Sequence, residues 1–260
     1  MREASGLALL RRLMRSRRWL FAKGMDVCGF GLEIVALSKG SLVLFQTIVT
    51  GGVVVAVVAE SRRSGRRLYV AEILGVLAIV SGVSLVGLNE PRGPDVRVSL
   101  RGWIISLSVA AIIVVGGLVL VHGRRRFEAG MLAVATGIAF SFGTAFLKNA
   151  TTVFRTDGIG VVVVVSVASY LALAVFGNVV IHRAYQIAPL RLALPVLTAV
   201  QPVSALIIAL LVLQEHLDKT PRGKTWTVLG IVLVMIGSVL ASGDFRFGKK
   251  RRAEPSSPDP

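Results

Sequence analysis

The sequence predicts an all-helical, polytopic membrane protein with about eight transmembrane helices in an inverted repeat. Three observations carry this. Hydrophobic residues make up 54% of the 260, charged residues only 17%, and the mean hydropathy is +0.74, a composition outside the range of soluble domains. The apolar residues fall in runs close to the roughly 20 that a helix needs to cross a bilayer core. The arginines lie in short clusters between those runs, the positive-inside pattern. A net charge of +16 would otherwise point to nucleic acid, but the basic residues form no continuous stripe, so no nucleic-acid partner is expected.

The elements follow in order. Residues 1–18, MREASGLALLRRLMRSRR, form a basic segment ahead of the first span, 19–38, which holds Lys23, Asp26 and Glu33. The second span, 41–59, ends at ESRRSGRR, and the third, 68–88, ends at the proline-rich NEPRGPDVR. The fourth, 103–121, precedes HGRRR. The fifth, 127–147, contains TGIAFSFGTAF, where Gly137 with Ser141 and Ala139 with Gly143 have the small-xxx-small spacing that lets helices approach closely. Lys148 at its end is expected to snorkel toward the headgroups. The sixth and seventh spans cover 159–182 and 190–213; EHLDKTPRGK then leads into the eighth, 225–242, and a basic tail, 244–260, that ends in the disordered-type PSSPDP.

Six arginines in residues 1–18, four in the loop after the second span, three after the fourth, and Lys249, Lys250, Arg251 and Arg252 in the tail fall on one side if eight helices alternate. Both termini are therefore expected on the cytoplasmic side of the cell membrane. The basic N-terminal stretch lacks the cleavage site of a signal peptide. The lone Cys28 excludes a disulfide framework and offers no metal-site spacing.

Internal repetition is the most informative feature. ALSKGSLVLFQTIVT, from Ala36, aligns with AYQIAPLRLALPVLT, from Ala184, an offset of 148 that pairs Thr47 with Pro195 and Thr50 with Thr198. Further on, Glu60 and Glu215 each precede a glycine by fifteen residues, and LGVLAIVSGVSL (74–85) aligns with LGIVLVMIGSVL (229–240) at an offset of 155. The first three spans thus recur as the last three, residues 19–88 forming one repeat and 103–243 a larger five-span unit. Corresponding helices are five apart, an odd number, so the copies face opposite ways, as in secondary transporters that open a midplane site to each side in turn.

GFGLEIVALSKGSLVLFQ (29–46), FGNVVIHRAYQIAPLRLALPVLTAVQP (176–202) and the closing Gln-Glu before LGIVLVMIGSVL resemble the drug/metabolite transporter superfamily, EamA-like, in the bacterial branch that also resembles NIPA-type magnesium transporters. The resemblance spans about residues 18–243. It implies nine or ten helices in two inverted halves, so the first half here is short, and by that symmetry one or two helices are expected upstream of Met1. The Gly-Pro and Gln-Pro usual in the family's first repeat stand here as Gly40-Ser41 and Gln46-Thr47.

Candidate residues for a substrate path come from polar or helix-breaking positions inside spans. Pro195 and Pro202, seven apart, share a face, with Thr198 and Gln201 close by; proline frees a backbone carbonyl, which a membrane tolerates only against protein or a wet cavity. Gln46 and Thr47 are their counterparts in the first repeat. Asn178, His182 and Tyr185 lie on one helical stripe, either an interhelical hydrogen-bond seam or part of the path, with His182 beside Arg183 favouring the headgroups. Asp26 and Glu33, also seven apart, share a stripe with Lys23. Each charge costs about 2.5 to 3.5 kcal/mol on insertion scales, which calls for a buried partner or an aqueous cavity. One arrangement pairs Lys23 with Asp26 and turns Glu33 to an outer vestibule; in the other, proton uptake by the carboxylates, Glu33 above all, couples solute movement to the proton gradient.

No nucleophile triad, HExxH or phosphate loop is present, so no enzyme activity and no cofactor or bound metal is expected. The reading is a transporter in contact with the lipid bilayer that carries a small molecule or ion by alternating access, with homodimerisation left open. Two alternatives stand beside it: a Mg2+ transporter of NIPA kind, which needs converging carboxylates, and a non-transporting scaffold or truncated remnant.

Overall fold

A computed structural model describes residues 17–65, 69–89, 98–188, 190–215 and 221–242. Every element among them is an α-helix: α1 Arg17–Lys39, α2 Leu42–Ser64, α3 Val70–Leu88, α4 Leu100–Leu120, α5 Arg125–Asp157, α6 Val161–Ile187, α7 Leu190–Leu211 and α8 Pro221–Ser242. Six of these, α3 to α8, hold a stretch long and apolar enough to cross a membrane, which makes the chain a multi-pass membrane protein. The apolar part of α2, Leu42–Val55, is shorter, and α1 carries Lys23, Asp26 and Glu33.

Local chemistry sets the helix boundaries. Ser41 caps α2, its hydroxyl accepting from the Leu44 N–H at 3.1 Å, and Ser99 caps α4 through the Gly102 N–H at 3.2 Å. Glu72 reaches back to the Tyr69 N–H at the start of α3. Gly65 ends α2 in the left-handed conformation, φ 65°. At the end of α7 the Glu215 N–H reaches back to the Ala209 carbonyl at 2.8 Å, with Gln214 at φ 53°. Glutamine here takes the left-handed conformation where glycine is more usual, and the turn curls Glu215 back toward the bundle.

Helix α5 is the hub and packs against α1, α2, α4, α6 and α7. Its 33 residues span about 50 Å, ten residues beyond the fifth span read from sequence. Hydropathy stops at Lys148 because KNATT is polar. These residues are nonetheless buried: Asn149 is 3% exposed and donates to Ser166 of α6 at 3.1 Å. The small-residue motif packs as expected. A Cβ on Gly137 would meet Val200 of α7, and Ser141, fully buried, hydrogen-bonds the Gln201 carbonyl and Ser204 of the same helix.

Helices α3 and α8 approach most closely. A Cβ on Gly75 would lie 2.7 Å from the Gly237 carbonyl, and one on Gly82 would lie 2.5 Å from the Gly230 carbonyl. Four glycines therefore bring the two backbones into direct contact. Helix α4, in contrast, packs only on α5 among the described helices, with Trp103 stacked on Phe146 at 4.0 Å. The rest of its surface, including Ile104, Ile112 and Val119, is exposed, as a lipid-facing helix requires.

Candidate functional site

Five helices line a partly open cavity of about 350 Å³. Helix α6 contributes Tyr170, Ala174 and Asn178, one ridge at i, i+4 and i+8. Helix α5 contributes Phe140, Gly143 and Thr144, and α2 contributes Phe45, Gln46 and Val49. Glu33 of α1 and Gln201 of α7 complete the wall. Ala174 is the middle residue of α6, and Gln201 lies at the centre of α7, so the cavity sits half-way along the bundle.

Two hydrogen bonds between distant helices organise the wall. The Tyr170 hydroxyl donates to Glu33 Oε2 at 3.0 Å, and Phe30, one turn before Glu33, stacks on the Tyr170 ring at 5.6 Å. The Gln46 amide donates to Thr144 Oγ1 at 2.9 Å, while Thr144 donates to its own helix at the Phe140 carbonyl. Gln46 is only 1% exposed, and among the described residues its Oε1 has no hydrogen-bond partner. Gly177 makes room for the Phe140 ring, since a Cβ there would lie 2.5 Å from Phe140 Cε1.

One helical turn beyond Thr144 along α5, and one turn back from Gln46 toward the start of α2, the cavity gives way to a layer of charge. Lys148, four residues after Thr144, forms a buried ion pair with Glu215 and donates to the Gly40 carbonyl at 3.0 Å. The same Glu215 oxygen accepts from the Leu42 N–H at 3.1 Å, at the positive end of the α2 dipole. Arg155 of α5 holds the Ser38 carbonyl at 2.9 Å. The α1–α2 junction is thus clamped to α5 and to the end of α7. This corrects the expectation that Lys148 snorkels: its side chain is 15% exposed and Glu215 is 4% exposed. A carboxylate already placed by the turn at the end of α7 satisfies the ammonium within the protein.

Of the residues singled out from sequence, Glu33, Gln46, Asn178 and Gln201 come together on the cavity wall. The others lie elsewhere. Thr47 is fully buried and bonds the Val43 carbonyl; Thr198 bonds its own helix at the Leu194 and Pro195 carbonyls, and Pro195 is buried. Tyr185 packs on an apolar cluster with Ala129 and Ala133, and exposed His182 meets its ring edge-on at 6.3 Å. The side chain of Asp26, like those of Lys23 and Glu60, lies outside the described residues. Tyr170 and Thr144 were not foreseen. Tyr170 was legible in principle, since it continues the Asn178 ridge two turns toward the start of α6. Thr144 sits within the motif assigned to packing.

At the other end of the bundle Arg125, Glu128, Arg183, Gln186 and Ile187 border a second hollow of about 380 Å³. Its arginines are exposed, as expected beside headgroups.

No family model and no solved structure matches the chain. The chain is similar to an uncharacterized protein of Corynebacterium glutamicum, 27% identical over 239 residues that cover 90% of this chain and 81% of the relative. That likeness runs over most of the chain rather than a single motif.

Proposed function

We propose that the chain is a secondary transporter of the drug/metabolite transporter type that moves a small solute across the cytoplasmic membrane by alternating access. The observation that carries this reading is the mid-bundle cavity, walled by five helices and lined by a carboxylate, three amides and aromatic rings. With the termini cytoplasmic, as the arginine clusters favour, the Lys148–Glu215 layer lies on the outer side of the cavity and closes it there. Glu33 couples the solute to protons, and Tyr170 holds its carboxylate between turnovers.

The crossed glycine contacts support an inverted repeat. At the offset of 155, Gly75 corresponds to Gly230 and Gly82 to Gly237. Gly75 meets Gly237 while Gly82 meets Gly230, so exchanging α3 with α8 maps each contact onto the other, as a local two-fold axis does. Ile79 against Gly237 and Val234 against Gly82 obey the same exchange. Inverted halves of this kind underlie alternating access. A Mg2+ carrier is less well supported, because Glu33 is the one carboxylate on the cavity wall among the described residues and Mg2+ needs several oxygen ligands.

The test compares the solutes released by cells that overproduce the chain, cells that overproduce Glu33→Gln at equal membrane level, and cells with neither. The expected result is at least one solute raised by the chain alone. Identical profiles in all three overturn the transporter reading.

A further inference from the structure

We propose that the cavity selects a protonated primary or secondary amine, an organic cation that carries both a positive charge and at least one N–H donor. This deepens the transporter reading and rests on it for the role of the cavity.

Three features point to that chemistry. Glu33 supplies a carboxylate, and no Lys, Arg or His lines the wall among the described residues. The nearby Lys148 is paired with Glu215 one turn away, so among the described residues no cation on the wall offsets the Glu33 charge. A cation therefore gains at this wall what an anion loses. The rings of Phe45, Phe140 and Tyr170 offer π faces to a cation and apolar area to its organic part. Finally, Gln46 Oε1 is a buried acceptor without a partner. An unmade hydrogen bond of this kind costs about 1 to 3 kcal/mol, and a ligand that brings a donor removes that cost. A quaternary ammonium matches the charge but leaves Gln46 unsatisfied; an alcohol can satisfy Gln46 but leaves Glu33 unpaired. At about 350 Å³ the cavity is at the small end of the roughly 300 to 1,000 Å³ typical of ligand sites, which favours a compact amine.

The test uses the purified full chain in lipid nanodiscs and four probes of one skeleton: phenethylammonium, its N,N,N-trimethyl analogue, 2-phenylethanol and phenylacetate. Their dissociation constants are measured at pH 7 by calorimetry. Phenethylammonium is expected to bind at least about tenfold more tightly than each of the other three. Glu33→Gln should erase the preference over the alcohol. Gln46→Leu should erase the preference over the trimethyl compound while keeping the preference for charge. Equal or tighter binding of the alcohol, the quaternary ammonium or the carboxylate to the unaltered chain overturns the proposal, as does the absence of binding by every probe to a chain that melts cooperatively. Selective amine binding without release of any solute by cells would reject transport and leave this selectivity standing.

Discussion

Glu215 shows how much one side chain can depend on its turn. Its carboxylate receives the Lys148 ammonium and the Leu42 N–H, yet it reaches them only because Gln214 takes the left-handed conformation at the end of α7. Desolvating both charges is costly, and the geometry returns most of that cost only while both partners are present. Removing one leaves the other buried and unpaired. Lys148→Met should therefore destabilise the chain by about 3 to 5 kcal/mol, whereas Lys148→Met combined with Glu215→Leu should recover much of the loss. Denaturant or thermal unfolding in a mild detergent measures both. If the double variant is as damaged as the single one, the layer is not held by the ion pair. Sequence did not reveal the pairing: Lys148 looked like a span-end lysine and Glu215 like the repeat counterpart of Glu60, because their partnership spans 67 positions.

At the scale of the helix, composition and spacing were the better guide. The small-residue spacing in α5 and the glycine pairs of α3 and α8 were visible as patterns, and the structure turns them into helix contacts. The hydropathy boundary of the fifth span failed for a physical reason. Asn149, Thr151 and Thr152 are buried against neighbouring helices rather than lipid, and hydropathy does not distinguish the two environments. The glycines separate in a way that can be measured. Gly82→Ala would place a methyl 2.5 Å from the Gly230 carbonyl, backbone that cannot rotate away, and should cost about 1 to 3 kcal/mol through forced separation of α3 and α8. Gly52, in the middle of α2, has open space at its Cβ position, so Gly52→Ala should be neutral or stabilising by up to about 1 kcal/mol. Melting temperatures that fall equally for both variants would remove the contact from the account.

Over the whole molecule, the sequence announced a helical membrane protein and four of the residues on the cavity wall. It could not announce the cavity itself. Gln46 was singled out as a counterpart of the proline-bearing helix, and it earned its place through Thr144, 98 positions away. Glu33 was marked by the cost of a charge in an apolar helix, but its Tyr170 partner lies 137 positions away, and nothing local in α1 encodes that pairing. The other proline-face residues, Pro195 and Thr198, are buried in protein, and the Thr198 hydroxyl is spent on its own helix at the Leu194 and Pro195 carbonyls.

The central claim is that the cavity opens to each side of the membrane in turn, and thiol accessibility tests it most directly. Cys28 is first replaced by serine, which leaves no other thiol. Ala174→Cys is then introduced at the middle of the cavity wall, with Val175→Cys, an exposed neighbour on the same helix that does not line the cavity, as the control. A membrane-impermeant maleimide is applied to right-side-out and to inside-out vesicles. The account predicts that Cys at position 174 is labelled from both sides, at rates set by the proton gradient, while Cys at position 175 is labelled from neither. Labelling of position 174 from one side only, or from no side, under every gradient would contradict it.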